Sequence, residues 1–387
     1  MPITLFLCGD VMLGRGVDQI LSYPGEPQLR ESSVRDARDY VALAIEKNGP
    51  ISKPVDFRYV WGDALDELER VNPDFRIINL ETTVTSSNSF WPNKDIHYRM
   101  NPRNVQCLKE AKIDCAVLAN NHMLDFGYQG LTETVNTLNA AGVRTAGAGQ
   151  NIARASEPAI LYNRDQNLVL VYAYGHASSG VGVDWSAETE KPGVNFLRDF
   201  SDATLADIQE SIARLRKPGD VVIISLHWGS NWEYGVEDAH RSFAHKLIDQ
   251  GGVDVIYGHS SHHVRGIECH HGKIIFYGCG DFIDDYEGIS GYEVFRDDLV
   301  LMYFLRIDPT DGSLLGLQMT PMQIKHIQLH HAARTDAQWL YEALTQEGRR
   351  LGTQFKLTPD GRLQLLCRLG ETSGSTDRQT ATTPMPP

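Results

Sequence analysis

Residue types that bind metals recur at one kind of place in this chain, directly after short apolar runs that are typical of strands. Five such runs are followed by a carboxylate, an amide or an imidazole: Asp10, Glu81, Asn121 with His122, His227, and His259. The carboxyl ends of parallel strands meet at one edge of a sheet, so these residues would converge although they are remote in sequence. Chance placement accounts for one or two of them, but not for five. The sequence therefore predicts a metal site at a sheet edge.

The mixture of ligand types indicates which ions the site would take. Imidazole, carboxylate and amide oxygen together favour Mn, Fe or Zn over Ca or Mg, which prefer oxygen throughout. A carboxylate that bridges two such ions holds a water between them, and that water becomes a hydroxide near neutral pH. The pattern therefore predicts two divalent ions and a nucleophile suited to hydrolysis.

Each of these residues also has a plainer explanation when it is taken alone. Asp10 could cap a turn or a helix, and Glu81 is typical of a solvated or ion-paired surface acid. His227 follows a strand that is expected to be buried, where a lone histidine is more often a satisfied core residue. A neighbouring metal would reverse that preference.

The segment 258–263 is more specific, because it places three imidazoles within five residues after an apolar strand: His259, His262 and His263. Such a group has few structural uses, and we expect at least two of the three to bind metal. His270 and His271 lie instead in a polar turn before Gly272, where a solvated surface role is the stronger expectation. The same holds for the histidines at 326, 330 and 331.

The elements that must position these residues alternate between two periodicities. Short runs rich in Val and Ile predict strands at residues 4–8, 76–80, 115–119, 168–173, 221–226, 253–257 and 274–277. Between them, helical spacing groups the apolar residues on one face over 131–138, 205–215 and 243–247. This order predicts an α/β fold in which central sheets are flanked by helices.

From residue 299 the rhythm changes to strands around 299–306 and 363–367 with a helix around 339–349. We predict a main domain over 1–298 and a small α+β subregion over 299–369 packed on it. Residues 370–387, rich in Ser, Thr, Gly and Pro, cannot bury enough apolar surface to order themselves and are predicted to be a disordered tail.

Composition excludes several classes of partner. A net charge of −14 without a Lys/Arg cluster argues against nucleic acid and anionic membrane surfaces. No apolar window approaches the roughly 20 residues of a membrane span, and the N-terminus lacks a basic leader. The six cysteines form no C-x-x-C pair, and most lie in apolar runs, which favours buried free thiols in a reducing compartment. We therefore expect a cytoplasmic protein of unassigned oligomeric state.

The predicted ligands stand within five longer motifs. These are Gly9-Asp10-Val11-Met12-Leu13-Gly14-Arg15, Asn79-Leu80-Glu81, Ala119-Asn120-Asn121-His122 continuing to Asp125 and Gly127, His227-Trp228-Gly229 with Glu233-Tyr234, and Gly258-His259 through His262 followed by Gly266-Ile267-Glu268. In these motifs the chain resembles the CapA family, named for poly-γ-glutamate capsule synthesis, whose fold is similar to that of calcineurin-like metallophosphoesterases.

The resemblance implies roles that the residues alone do not assign. One metal would be held by Asp10, Glu81 and His262, with Glu81 bridging, and the second would be completed by Asn121, His227 and His259. His122 would be the general acid or base, oriented by Asp125. Arg15 would be an anion contact.

Three departures from the phosphoesterase pattern bear on these roles. Met12 stands where the first motif has a histidine, so the first site is short of one imidazole. Two residues separate His259 from His262 where phosphoesterases have one, so His263 is a rival ligand. The usual Gly-Asn-Phe becomes Gly280-Asp281-Phe282, and the extra carboxylate of Asp281 could bind metal, act as a base or cap a turn.

Three functions remain open. The first is hydrolysis of a phosphoester or of a peptide or γ-glutamyl amide, with His122 as acid. The second is epimerisation of a peptide residue in a natural-product pathway, with His122 and either Asp281 or His263 exchanging the α-proton. The third is a non-catalytic binding protein, for which Met12 is the support. A direct role in capsule export is not expected, because many family members resemble membrane-anchored proteins and an N-terminal apolar segment is lacking here.

Aromatic residues with a neighbouring arginine would suit a peptide or sugar chain that carries carboxylates. The candidates to line the crevice are Trp228, Trp232, Tyr234 and Tyr98 with Arg99. For each aromatic residue, packing in the core is the plainer alternative.

Overall fold

The computed structural model describes residues 1–162 and 168–366, and its elements follow the predicted alternation. The strands are β1 (Ile3–Cys8), β2 (Asp10–Val11), β3 (Phe75–Leu80), β4 (Thr83–Val84), β5 (Arg99–Met100), β6 (Cys115–Val117), β7 (Arg144–Ala146), β8 (Ala148–Gly149), β9 (Ala159–Tyr162), β10 (Leu168–His176), β11 (Gly193–Val194), β12 (Phe196–Leu197), β13 (Val221–His227), β14 (Val255–His259), β15 (Ile267–His270), β16 (Lys273–Phe276), β17 (Asp281–Ile283), β18 (Leu299–Ile307), β19 (Leu314–Ile324), β20 (Leu329–His331), β21 (Gln354–Leu357) and β22 (Leu363–Leu366). The α-helices are α1 (Arg15–Ile20), α2 (Arg38–Asn48), α3 (Ala64–Val71), α4 (Gln106–Glu110), α5 (Gly127–Ala140), α6 (Ile152–Ala155), α7 (Asp202–Ala213), α8 (Asp238–Asp249) and α9 (Arg334–Leu351).

The strands form two large sheets. The first has the order β17-β2-β3-β1-β18-β19-β22-β21, with β6 and β7 continuing from β3 and β20 pairing with β19. The second has the order β12-β10-β13-β14-β16-β15, with β9 on β10. In each sheet the strands that precede the predicted ligands are parallel, as β2, β3 and β6 are in the first and β13 and β14 in the second.

Side-chain alternation along the strands produces the layers. In β1, Leu5 and Leu7 belong to a hydrophobic cluster that also contains second-sheet residues, whereas Phe6 and Cys8 join a cluster with side chains of α1, α2, α3 and α5. A third cluster packs α7 and α8 on the outer face of the second sheet. The protein is therefore a mixed α/β structure with two facing sheets and helices on both outer sides, which confirms the predicted class.

The C-terminal segment from residue 299 extends the first sheet. Strand β18 pairs antiparallel with the whole length of β1, from Ile3 with Ile307 to Cys8 with Met302. Helix α9 lies where a helix around 339–349 is predicted. The segment thus shares hydrogen bonds with the main body, and the division at residue 298 stays a prediction. The predicted tail at 370–387 lies outside the described residues.

Two further predictions concern membranes and cysteines. Among the helices within residues 1–162 and 168–366, none is both long and apolar enough to cross a membrane. Four cysteines are buried and free, namely Cys8, Cys107, Cys115 and Cys279. Cys269 corrects the expectation of free thiols, because it is disulfide-bonded, and Cys367 lies outside the described residues.

Candidate metal centre

Five of the six predicted metal ligands, all except His262, lie next to one another at one place between the two sheets, which we call the crevice. In the first sheet, strand register places Asp281, Asp10 and Asn79 side by side on β17, β2 and β3. In the second sheet, His227 and His259 are paired at the ends of β13 and β14. The sheets thus bring residues from five strands to one place, as the positions of strand ends predict.

The middle of the crevice is a group of three buried side chains, Asp10, Glu81 and His227, which we call the central cluster. One ligand atom from each lies within 4.8 Å of the other two. The Glu81 Oε1 atom is 3.9 Å from His227 Nε2, and the Asn121 Oδ1 atom is 3.0 Å from the same nitrogen. The Asp10 Oδ1 atom is 2.6 Å from His259 Nδ1.

The electrostatics of the central cluster fit a cation. Burial and the Asp10 carboxylate raise the pKa of Glu81 well above its usual range, and burial lowers the pKa of His227 to about 3. Within the described part of the chain, the buried His227 Nδ1 and His259 Nε2 atoms have no hydrogen-bond partner. Two adjacent buried carboxylates repel each other, and a divalent ion among them would remove that cost. The donors present therefore suit the predicted metal.

Amide side chains behind the cluster hold it in place. Asn79 Nδ2 donates to Asp10 Oδ1 at 2.8 Å and to Glu81 Oε2 at 3.3 Å. Asn120 Nδ2 donates in turn to Asn79 Oδ1 at 3.0 Å, and Asn120 Oδ1 accepts from the His122 backbone N–H. Both asparagines stand within the motifs given above, where neither was predicted to have a role. Their signal was an amide one or two residues from a predicted ligand.

His122 lies at the end of the crevice beyond β3. Its Nδ1 is 2.7 Å from Asp125 Oδ2, and its Nε2 is 3.8 Å from Glu81 Oε1. Burial lowers the pKa of His122 to about 4 in spite of the Asp125 carboxylate. The predicted pairing with Asp125 is thus present in the geometry.

Lys94 completes this arrangement and is a site residue that the sequence does not predict. Its Nζ is 2.9 Å from Asp125 Oδ1 and 3.2 Å from His122 Nδ1. The residue lies in the polar segment between β4 and β5, where nothing in the sequence distinguishes it from a surface lysine. Only the folded chain brings this ammonium group to the site.

The opposite end of the crevice holds a second pair of an imidazole and a carboxylate. His262 Nδ1 is 3.0 Å from Asp281 Oδ1, and Asn231 lies 3.1 Å from His262 Nε2. Burial raises the pKa of Asp281 to about 6. Met12 is buried nearby, where its sulfur accepts a hydrogen bond from the Tyr286 hydroxyl at 3.7 Å. Metal binding by His262 and a role for Asp281 stay predictions.

The two arginine candidates are engaged by other groups of the protein. The Arg15 guanidinium is buried between Asp285 and Glu31 and above the Tyr40 ring. The Arg99 guanidinium donates to the carbonyl oxygens of residues 26 and 87 and lies over a phenylalanine ring. Both guanidiniums already have buried partners within the protein.

Two of the aromatic candidates pack against other protein side chains, and a third faces the second imidazole–carboxylate pair. Trp228 packs in the cluster under the second sheet and donates its indole N–H to the Tyr277 carbonyl. The Tyr234 ring contacts His263, with ring centroids 4.5 Å apart. Trp232, by contrast, lies 5.0 Å from the His262 ring and faces the second pair.

Comparison with known proteins identifies the family. The family model described as bacterial capsule synthesis protein PGA_cap matches residues 4–286, which contain every predicted ligand. A probable polyglutamine synthesis accessory protein of Mycobacterium tuberculosis is 46% identical over 94% of this chain and 96% of its own length. The PGA biosynthesis protein CapA of Bacillus subtilis is 26% identical over 82% of this chain and 70% of its own length. The capsule biosynthesis protein CapA of Bacillus anthracis is 27% identical over 84% and 68%.

A solved structure covers 84% of this chain with 9% identity and a TM-score of 0.37, which is too low to support an argument about the fold. The family match spans most of the chain, and the mycobacterial relative aligns along nearly all of both chains. The resemblance to CapA proteins is therefore confirmed, and this chain belongs to the PGA_cap family of bacterial capsule synthesis proteins.

Proposed function

We propose that this chain is a metal-dependent enzyme that hydrolyses an amide bond in a peptide-like substrate of the γ-glutamyl type. The central cluster carries the proposal, because it combines two buried carboxylates with an imidazole at metal-binding distances. Asp10, Glu81, Asn121, His227, His259 and His262 would hold two Mn, Fe or Zn ions. Bound ions of this kind supply a hydroxide nucleophile near neutral pH. We also propose that the fold is calcineurin-like and that the protein is cytoplasmic.

The residues around the cluster have distinct parts in the proposal. The His122 Nδ1–H donates to the Asp125 carboxylate, so Nε2 is the nitrogen that exchanges a proton with the substrate. Lys94 keeps Asp125 ionised and thereby fixes the ring orientation. Burial of the whole set excludes bulk water and strengthens each of these interactions.

The names of the relatives guide the choice of substrate. They refer to polyglutamine and PGA synthesis and to capsule biosynthesis, which favours a glutamyl amide over a phosphoester as the first substrate to test. Metal-loaded protein should be assayed against panels of γ-glutamyl amides and of phosphoesters. We expect cleavage in the amide panel. Cleavage of phosphoesters alone would change the substrate class, and no cleavage in either panel would overturn hydrolysis. Protein that takes up no metal would favour the non-catalytic binding function.

A second function, epimerisation of a peptide residue, is favoured by one specific observation. Two pairs of an imidazole and a carboxylate flank the central cluster along the first sheet, His262 with Asp281 beyond β2 and His122 with Asp125 beyond β3. Such an arrangement could remove and return a proton on opposite faces of a carbon next to a carbonyl. Deuterium uptake from solvent at a peptide α-carbon would distinguish this reaction from hydrolysis, and its absence in all peptides tested would rule it out.

A further inference from the structure

A second group of metal-ligand side chains lies at the other edge of the second sheet. His270 ends β15 and His271 lies in the turn before β16, while Asp249 is the last residue of α8. Strand β16 runs parallel to β14 and begins at this turn, whereas β14 ends at His259. The group is therefore separated from the central cluster by the length of the strands. We call Asp249, His270 and His271 the hairpin cluster.

The donor atoms of the hairpin cluster converge on one point. His270 Nε2 and His271 Nδ1 each lie 2.8 Å from the same oxygen, Asp249 Oδ1. All three atoms lie within 4.8 Å of one another. In a tetrahedral zinc site with bonds of about 2.0–2.1 Å, ligand atoms are roughly 3.4 Å apart. Small side-chain adjustments would bring these atoms to that spacing.

The His270 imidazole and the backbone of His271 are held in place before any ion binds. The His270 ring stacks on the His245 ring with centroids 3.9 Å apart and planes 5° from parallel. His245 Nε2 is itself 3.2 Å from the Glu268 carboxylate. His271 and Gly272 both have positive φ, 47° and 77°, as in the tight two-residue turn of a hairpin. Less order has to be gained on binding when ligands are already fixed.

The position of Asp249 adds an electrostatic reason for a cation. A carboxylate at the C-terminal end of a helix meets the negative end of the helix dipole, which is unfavourable. A divalent ion bound to Asp249 would offset both negative charges. The side chain of His271 is 73% exposed, so an ion can reach the cluster directly from solvent.

We propose that the hairpin cluster binds a divalent transition-metal ion, with Zn²⁺ as the first ion to test. Its ligands are His270 Nε2, His271 Nδ1 and Asp249 Oδ1, with a fourth position open to solvent. Two imidazoles with one carboxylate disfavour Ca²⁺ and Mg²⁺. The bound ion links the β15–β16 hairpin to the end of α8.

The test is equilibrium dialysis of the full chain against Zn²⁺ after chelator treatment, with zinc counted by elemental analysis. We expect His271→Ala and Asp249→Asn each to bind one zinc fewer than the natural chain, with affinity at this site at least about tenfold weaker. Unchanged zinc content in both variants would overturn the proposal.

A matched control is the other adjacent pair of histidines, His330 and His331 on β20. Neighbouring residues of a strand point to opposite faces, so these two imidazoles cannot converge. The double substitution H330A/H331A should leave the zinc content unchanged, and a loss equal to that of His271→Ala would contradict a specific site. His227→Ala separates the two centres, because it should lose zinc at the central cluster while the zinc at the hairpin cluster is retained.

Discussion

The two sheets contribute different atoms to the candidate metal centre. The first sheet and its loops supply oxygen, from Asp10, Glu81 and Asn121, whereas the second supplies nitrogen, from His227 and His259. Neither set alone is the mixed ligand set that favours Mn, Fe or Zn. The centre therefore depends on the docking of one sheet against the other, and substitutions on each side can test that dependence.

The largest expected effect is loss of metal when either sheet loses a ligand. Glu81→Gln removes a charged oxygen from the first sheet, and His227→Ala removes a nitrogen from the second. Each should weaken metal binding by more than about 100-fold, because the loss of a ligand exceeds the effect of changing a residue behind it. Elemental analysis after dialysis measures this.

His240 provides a control for these two ligand variants, because it is a buried histidine outside the predicted ligand set. It is buried on the second-sheet side but packs against Trp228 and Phe200. His240→Gln should keep the full metal content. If either ligand variant also kept it, the centre would not be shared between the sheets.

The next effect separates metal binding from proton transfer. His122→Asn should lower kcat for the cleaved substrate about 100-fold while metal content stays unchanged, since positioned acids and bases contribute typically ~10²–10⁴-fold. Comparison of kcat with metal content in the same preparation measures this. A parallel loss of metal would show that His122 belongs to the ligand set instead.

The sequence predicted the strand ends well because apolar runs and their following polar residues are local signals. It predicted Asp10, Glu81 and His227 to converge, and they do. The sequence did not predict Lys94 as a site residue. The path of a loop brings this lysine to the site, and that loop carries no periodic pattern. The layering of two sheets, with β18 beside β1, is likewise a long-range pairing that no local pattern encodes.

A smaller effect would come from adding nitrogen to the first sheet. Met12 lies two residues after Asp10, and its sulfur faces the Tyr286 hydroxyl near the His262 ring. Met12→His should strengthen metal binding about tenfold, because an imidazole is a far better ligand than a thioether for these ions. Competition against a chelator of known affinity measures the change. An unaltered affinity would mean that the side chain at position 12 does not reach the metal.

The smallest expected effect lies outside the crevice, at Glu67 in helix α3. Burial raises the pKa of Glu67, but hydrogen bonds from Arg70 and Arg362 outweigh it and lower that pKa to about 2. Glu67→Gln should reduce the free energy of unfolding by about 1 kcal/mol at pH 7, as expected for a partly exposed ion pair. Its metal content should stay unchanged.

The pH dependence of this variant has a definite sign. A carboxyl group with a lowered folded-state pKa stabilises the protein above its unfolded pKa, and the effect disappears as the pH falls through the folded value. The difference between the natural chain and Glu67→Gln should therefore be complete at pH 7 and shrink between pH of about 4 and 2. Urea unfolding at pH 7 and near pH 3 measures it, and a difference that grows on acidification would contradict the assignment.

The pairing of β1 with β18 has a consequence for synthesis on the ribosome. Strand β1 leaves the ribosome first, but its antiparallel partner at residues 299–307 follows some 300 residues later. At roughly 5–20 residues per second, the first strand waits on the order of 15–60 s with one edge unpaired. The strand neighbour of Asp10 on β17 is made almost as late. The candidate centre can therefore be complete only near the end of translation, and until then the unpaired edge of β1 is open to pairing with another strand.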